Sequence, residues 1–266
     1  MIATIERVSA PSPAEFKRRY LGADRPAIFV DAVRHWPAST RWTAAWLRDT
    51  LSDAPVRVET LPESRGGESE YVLRHVSINR MRMRDFFSVM ESESGRHYVT
   101  QQPVSALSPS LLDDLRPFPY YSELLRRWSG HTALLWLGSA GCTSSLHFDY
   151  FPNLNVQLFG SKRWVIFPRA QQTLLYLPSR LRHSHWSPVD VGSPDVQRFP
   201  LYSQATPIDF LLEPGETLFL PAGWPHYVET RALSAAVNFW WITWPDFLRR
   251  APGHIGSTWW KKLTRR

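Results

Sequence analysis

Short apolar runs separated by Gly- and Pro-containing turns dominate the second half of this chain and argue against a helical bundle. Each run is rich in branched or aromatic residues, as is typical of β-strands. The runs cover residues 133–137, 155–159, 163–167, 210–212, 217–220 and 235–241. The 22 prolines among 266 residues agree, because proline interrupts long helices. The pattern predicts a β-sandwich or barrel such as a jelly roll.

Two of the turns lie between runs that have the signature of hairpin partners. The run 155–159 leads through Gly160 and Ser161 into 163–167, and 210–212 leads through Pro214 and Gly215 into 217–220. A tight turn between two apolar runs is the usual signal of antiparallel neighbours. We therefore expect two β-hairpins.

The N-terminal part has a mixed α/β pattern. Ser12 and Pro13 have the residue types of a helix N-cap and first helical position. Residues 25–30 and 56–58 are expected to be strands, and 42–47 and 83–90 helices. We assign residues 1–95 to an α/β cover region of the same globular unit and 96–245 to the β core. Residues 169–204 form an insertion beside the pocket mouth, 63–69 a surface loop, and 246–266 a basic tail with a short helical segment.

Three potential metal ligands lie in two of these segments. His147 and Asp149 are two residues apart, so in a strand both side chains point to the same face. His226 lies far downstream, with room for several strands to return it to that face. Two imidazoles and one carboxylate form the ligand set of non-haem Fe(II) sites with three open positions. Taken by itself, the motif of His147 and Asp149 also fits a histidine with a purely structural role.

Polar residues surround the predicted ligands. Lys162 follows the Gly160 turn, where a buried cation would bind a dicarboxylate. Asn153, Asn155 and Asn238 supply amides, which commonly orient ligands without adding charge. The sequence therefore predicts a polar pocket around a metal.

These motifs carry a resemblance to a known family. The quoted segments are HFDYFPNLNVQLFGSKRW (147–164), LEPGETLFLPAGWPH (212–226) and VNFW (237–240). They resemble the cupin-type JmjC family of Fe(II)- and 2-oxoglutarate-dependent oxygenases, and especially its small hydroxylase branch. The match covers roughly residues 134–241, with a looser match around Phe16, Tyr20 and Trp36. The fold that the resemblance implies is a double-stranded β-helix of the jelly-roll type.

The resemblance also implies cofactors and the reaction. His147, Asp149 and His226 would bind Fe(II), and Lys162 would pair with the distal carboxylate of 2-oxoglutarate. O2 would be the oxidant, and oxidative decarboxylation of 2-oxoglutarate to succinate and CO2 would accompany hydroxylation of a C–H bond.

Five more residues correspond to positions that contact the metal or the co-substrate in this family. Ser144 stands where the family often has Thr, and it keeps the hydroxyl group. Tyr98 matches a Tyr that reaches the co-substrate. Asn153 and Asn238 match amides near the metal, and Trp240 matches a neighbouring aromatic residue.

Four further residues are candidates for the edge of the pocket. Gln101 and Arg163 are interpreted as rim residues. His183 and His185 lie in the insertion, where either a second metal site or an ordinary loop accounts for them.

Several substrate classes fit the sequence. A protein or peptide side chain or an amino-acid-like molecule is the first hypothesis, and a small-molecule natural product the second. A modified tRNA base is a third, because the formal net charge is +7. Histone demethylation is less expected, since a single cysteine, Cys142, cannot build a zinc finger. A metal-binding cupin without oxygenase activity is the alternative from another class.

Location and assembly follow from weaker features. No apolar stretch approaches the roughly 20 residues of a membrane helix, and no signal-peptide pattern begins the chain. We expect a cytoplasmic protein that does not bind membranes. The aromatic stretch 244–260 suggests a possible homodimer contact.

Overall fold

Thirteen strands, counted over the described residues, form two sheets in a computed structural model of the chain. The structure describes residues 4–61, 76–92, 95–116, 118–120, 133–178 and 185–241. The strands are β1 (Glu6–Val8), β2 (Ala27–Phe29), β3 (Pro55–Leu61), β4 (Ser77–Arg82), β5 (Arg96–Pro103), β6 (Leu134–Gly138), β7 (Thr143–Phe148), β8 (Asn153–Phe159), β9 (Lys162–Ile166), β10 (Ile208–Leu212), β11 (Thr217–Leu220), β12 (Pro225–Thr230) and β13 (Ser234–Trp240).

The sheets are of unequal width. The large sheet has the order β1-β2-β11-β8-β13-β6-β5-β3-β4, and the small sheet has the order β10-β9-β12-β7. All pairs are antiparallel except β1 with β2. The predicted jelly-roll class is therefore confirmed. The first strands of the chain extend the large sheet at both of its ends.

In the ranges that the structure describes, helices are few and short. They are α1 (Pro13–Glu15), continued by a π-helix (Phe16–Leu21), α2 (Pro37–Arg41), α3 (Ala44–Thr50), α4 (Met83–Ser92) and α5 (Val104–Leu107), with 3-10 turns at Pro109–Leu115, Arg169–Gln171 and Pro200–Gln204. Ser12 caps α1 as predicted, because its hydroxyl accepts from the Glu15 N–H at 3.3 Å. The helix expected at 42–47 begins two residues later, because the Thr43 side chain caps it.

The two predicted hairpins are wrong. Strands β8 and β9 lie in different sheets, since β8 pairs with β11 and β13 while β9 pairs with β10 and β12. Strands β10 and β11 likewise belong to opposite sheets. At both turns the chain crosses from one sheet to the other, as in a double-stranded β-helix. The apolar pattern of a strand indicates which faces are buried but not which strand lies beside it.

The main core lies on the large sheet and includes the N-terminal region. Phe16, Tyr20 and Trp36 are each at most 3% exposed and belong to this cluster. A second cluster fills the space between the sheets around Trp164 and Leu218. The N-terminal region therefore packs on the same sheet that carries β8 and β13, which supports the walls of the site described below.

The turn at Gly160 gives the first testable prediction. Gly160 has φ +61°, and an added Cβ would lie 2.4 Å from the Leu233 carbonyl oxygen. We expect Gly160→Ala to lower the free energy of unfolding by more than ~1–2 kcal/mol, since backbone strain and a clash add. Gly215→Ala is the matched control, because Gly215 has φ +85° but nothing within 4 Å of its Cβ position. Urea denaturation showing equal losses for both variants would contradict the role of the clash.

The stretch 168–204 has little regular structure where it is described. It contains two 3-10 turns and an isolated bridge between Trp186 and His147. The expected loop at 63–69, His183 and the tail 246–266 with its helical segment lie outside the described residues, as does the possible dimer contact at 244–260. None of the helices in the described ranges is long and apolar enough to cross a membrane.

Candidate metal centre and co-substrate pocket

The predicted metal ligands converge on one point between the sheets. His147 on β7 pairs directly with His226 on β12, and Asp149 follows the end of β7. Each histidine Nε2 lies 3.8 Å from a carboxylate oxygen of Asp149. The three donor atoms all lie within 4.8 Å of one another. A single cation between them would therefore contact all three residues.

Backbone hydrogen bonds set the orientation of both imidazoles. His147 Nδ1 lies 2.7 Å from the Ser145 carbonyl oxygen, and His226 Nδ1 lies 3.0 Å from the Trp224 carbonyl oxygen. A carbonyl only accepts, so each Nδ1 must carry the proton. This tautomer leaves the Nε2 lone pair of each ring directed at Asp149, as a metal ligand requires.

Burial also favours the neutral form of one ligand. The pKa of His147 lies well below its usual value, chiefly because the ring is desolvated, and then because His226 and His185 are nearby. A neutral imidazole is the form that binds metal. The donor set of two imidazole nitrogens and one carboxylate fits Fe(II).

A network of hydrogen bonds holds the carboxylate of Asp149. Its Oδ2 accepts from the Trp240 indole N–H at 3.0 Å and from the Asn153 amide at 3.4 Å. Asn238 donates in turn to Asn153 at 3.3 Å and accepts from Trp136 Nε1 at 2.8 Å. Two amides and two indoles thus fix the position of a single ligand.

The Trp240 contact gives a prediction about metal affinity. We expect Trp240→Phe to weaken Fe(II) binding by about 10- to 100-fold, the usual effect of losing a hydrogen bond to a ligand. Trp46→Phe is the control, since Trp46 stacks on Trp42 away from the metal centre. Anaerobic Fe(II) titration measures the effect. Equal affinities in the two variants would show that the indole N–H does not position Asp149.

Lys162 lies at the other end of the same pocket. Its side chain is 2% exposed, and Nζ donates to the Tyr98 hydroxyl at 3.1 Å. Burial lowers the pKa of Lys162 to about 7 and raises the pKa of Tyr98. None of the described ion pairs includes Lys162. An anionic group entering the pocket would supply the missing countercharge.

The pocket brings together the nine residues that were predicted to bind the metal or the co-substrate. Its empty space, including the open mouth, is about 370 Å³. The predicted residues on its wall are Tyr98, Ser144, His147, Asp149, Asn153, Lys162, His226, Asn238 and Trp240. Asn155, noted above as a nearby amide, also lines it, together with Trp136, Trp164 and Val228, which sequence reasoning missed. For Trp164 the available signal was strand alternation, because it lies two positions after Lys162 and therefore on the same face. Trp136 belongs to the run 133–137, which was predicted only as a strand.

The prediction that Gln101 and Arg163 lie at the rim of the pocket is wrong. Gln101 is exposed with φ +48°, and the pocket wall does not include it. Arg163 lies on the outer face of the small sheet, where it contacts Asp209 at 2.6 Å and Glu229 at 3.5 Å. Alternation along β9 requires this, since Lys162 and Trp164 point inward.

One side of His147 is covered by residues of the stretch 168–204. The Trp186 ring stacks on the His147 ring with centroids 4.3 Å apart and an interplanar angle of 27°. The His185 ring lies 6.0 Å from His147 and packs edge-on against it, so it adds to the aromatic surroundings. Among the described residues, the side chains close enough to share a metal ion are His147, Asp149 and His226. His185 is not part of this group.

Comparison with known proteins is consistent with this site. The family model of the cupin-like domain matches residues 13–247. The chain belongs to this family. The cupin-like match contains every described strand except β1 and every residue of the pocket wall.

Its relatives are of the JmjC type. The chain is 30% identical to human "Bifunctional peptidase and (3S)-lysyl hydroxylase JMJD7", over 87% of this chain and 81% of the relative. It is 31% identical to "Jumonji C domain-containing protein 5" of Drosophila melanogaster, over 89% and 59% of the two chains. It is 30% identical to "Lysine-specific demethylase 8" of Xenopus tropicalis, over 89% and 52%. The cupin-like chain thus spans little more than half of the last two relatives.

Proposed function

We propose that this chain is an Fe(II)- and 2-oxoglutarate-dependent oxygenase that hydroxylates a C–H bond. The observation that carries the proposal is the combination of two imidazoles and Asp149 at one end of a pocket with buried Lys162 at the other. Iron and 2-oxoglutarate, when bound there, supply oxidation of the substrate by O2 with release of succinate and CO2.

The residues of the pocket have separate tasks in this proposal. His147, Asp149 and His226 hold the metal, and the hydrogen bond from Trp240 keeps the carboxylate oriented. Lys162 binds the distal carboxylate of 2-oxoglutarate as a charged ammonium group. The Tyr98 hydroxyl accepts a hydrogen bond from that ammonium group. Its raised pKa keeps the hydroxyl protonated, so it can donate a hydrogen bond to the carboxylate.

The remaining polar groups orient the co-substrate and the metal ligand. Ser144 offers a hydroxyl on the wall near Tyr98, while Asn153 and Asn238 present amides on the side of Asp149. Aromatic rings exclude water on both sides, since Trp164 stacks on His226 and Trp186 on His147. Such a dry, preorganised pocket strengthens the electrostatic contacts within it.

The favoured substrate is a side chain of a protein or peptide. The names of the human and Xenopus relatives refer to lysyl hydroxylation and to lysine-specific demethylation. Both names point to lysine residues as substrates, which supports a peptide substrate for this chain. Free amino acids, small natural products and modified tRNA bases are the alternatives. No observation in the described residues favours one of these over a peptide.

Anaerobic titration tests the proposal. Fe(II) followed by 2-oxoglutarate is expected to produce a visible metal-to-ligand charge-transfer band, and candidate substrates are then screened by O2-dependent succinate release. A folded protein that binds metal but shows no band would indicate a cupin that uses another metal or co-substrate.

A further inference from the structure

The large sheet extends beyond the small one on the side of β4. Its nine strands face only four, and the pocket wall takes residues from β5, β6, β8 and β13 but none from β3 or β4 among the described residues. On one face of β3, Val56 and Val58 are buried with Phe86 of α4 in the main core. The opposite face is free at β4, where Ile78 and Arg80 are exposed, and half-buried at Arg57 and Glu59 of β3. At its end, Leu61 is buried against Tyr98 and Cys142.

Strand register places this free face beside the pocket. Glu59 on β3 pairs with Tyr98 on one side and with Ile78 on the other, so the three side chains share a face. Tyr98 is a wall residue of the pocket. Neighbouring strands are about 4.8 Å apart, so Ile78 lies roughly 10 Å across the sheet from that wall.

A second row of side chains runs parallel to the first. Arg57 on β3 pairs with Arg80 on β4, and Arg57 donates to the Thr100 hydroxyl on β5 at 2.9 Å. We define the shelf as the surface formed by Arg57, Glu59, Ile78 and Arg80, in which the buried Thr100 anchors Arg57. Ile78 is 53% exposed and Arg80 is also exposed.

The charges on the shelf are not balanced. Arg57 contacts Glu59 at 2.6 Å, and the next arginine along β4, Arg82, contacts Asp53 at 2.7 Å. Arg80 has no hydrogen bond or ion pair with any described residue. Like charges directly opposite on neighbouring strands destabilise a sheet. An anionic group between Arg57 and Arg80 would relieve this repulsion.

We propose that the shelf binds a peptide segment of the substrate through an acidic side chain at Arg80 and Arg57 and an apolar side chain at Ile78. This inference rests on the proposed function, since it names the peptide that the pocket acts on. Ile78 and Arg80 are two residues apart on one strand, so an extended peptide that presents alternate side chains matches their spacing. The preferred sequence has an acidic and an apolar residue separated by one residue, as in acidic–x–apolar.

The composition of the shelf favours a peptide over a nucleic acid. The repeated negative charges of a phosphate backbone would meet the carboxylate of Glu59, which already pairs with Arg57, and the phosphates offer nothing apolar to Ile78. A peptide brings one acidic group and leaves its other side chains free to match the remaining surface. RNA binding at the shelf would therefore contradict the proposal, and the experiment includes a test for it.

Binding of labelled peptides tests the shelf directly. Two fluorescein-labelled 13-residue peptide mixtures are compared by anisotropy, one with Glu–x–Leu at its centre and one with Gln–x–Leu, at low and at high salt. We expect the Glu mixture to bind more tightly to the wild type, with an advantage that shrinks as salt screens the contact. Arg80→Glu should weaken binding of the Glu mixture by at least about fivefold.

A matched control separates local from overall charge. Arg34→Glu makes the same change at an exposed arginine after β2, near the other end of the large sheet. Equal losses in both variants, no preference for the Glu mixture, or competition by a single-stranded RNA oligonucleotide at Arg80 would each overturn the proposal. The charge-transfer band is recorded on all proteins. Its absence from the wild type would contradict the proposed function, while the anisotropy result decides the shelf independently.

Discussion

Asp149→Ala is expected to abolish turnover that depends on iron and 2-oxoglutarate while leaving the protein folded. The variant loses the single anionic ligand of the cluster, and two imidazoles alone hold Fe(II) weakly. We expect activity to fall by more than about 100-fold. Removing a residue that only hydrogen-bonds to a metal ligand already costs up to about 100-fold, and Asp149 is itself the ligand. The charge-transfer band should disappear at the same time.

The same change should have a modest effect on stability. Asp149 lies after the end of β7, so its removal breaks no strand pairing. The indole N–H of Trp240 loses its acceptor, and because this hydrogen bond is only partly buried the cost stays below the ~1–3 kcal/mol of a fully buried unpaired donor. Asp149→Asn serves as a second variant, because an amide keeps an acceptor for Trp240 but removes the charge.

Asp209→Ala is the control for this experiment. Asp209 pairs with Arg163 on the outer face of the small sheet, so its loss also breaks an aspartate contact but leaves the pocket unchanged. Succinate release and the visible band are measured for all three variants. Wild-type turnover in Asp149→Ala would remove this residue from the metal centre and, with it, the basis of the proposed function.

The site was more predictable from the sequence than the strand pairing was. His147 and Asp149 needed only the two-residue period of a strand to share a face, a property of any extended backbone. Which strands lie side by side depends on contacts between distant segments. The Gly160 turn has the same residue types whether it closes a hairpin or, as here, carries the chain across to the other sheet.

The aromatic residues of the pocket were also difficult to predict from the sequence. With 13 tryptophans in the chain, composition alone does not distinguish one that lines a pocket from one in the core. Trp164 belongs to both, since it packs in the cluster between the sheets and stacks on His226. The stacking of Trp186 on His147 depends on how the insertion folds back, and no local pattern in 168–204 encodes that contact.

Lys162→Met is expected to weaken 2-oxoglutarate binding by about 10- to 150-fold. A hydrogen bond to a charged group contributes about 1.5–3 kcal/mol, and each 1.4 kcal/mol changes a dissociation constant tenfold. Methionine fills a similar volume without charge, so the fold should persist. Lys17→Met is the control, because Lys17 is an exposed lysine on the N-terminal π-helix.

The pH dependence of binding separates a charge contact from a packing effect. Burial lowers the pKa of Lys162 to about 7 in the empty pocket, and a bound carboxylate favours the charged form and so raises this pKa. Below pH 7 the lysine is charged before binding, whereas above it binding must take up a proton. Wild-type affinity should therefore fall as pH rises above about 7, by at most tenfold per unit. Lys162→Met should lose this slope, and a variant that retained both the slope and the affinity would locate the carboxylate contact elsewhere in the pocket.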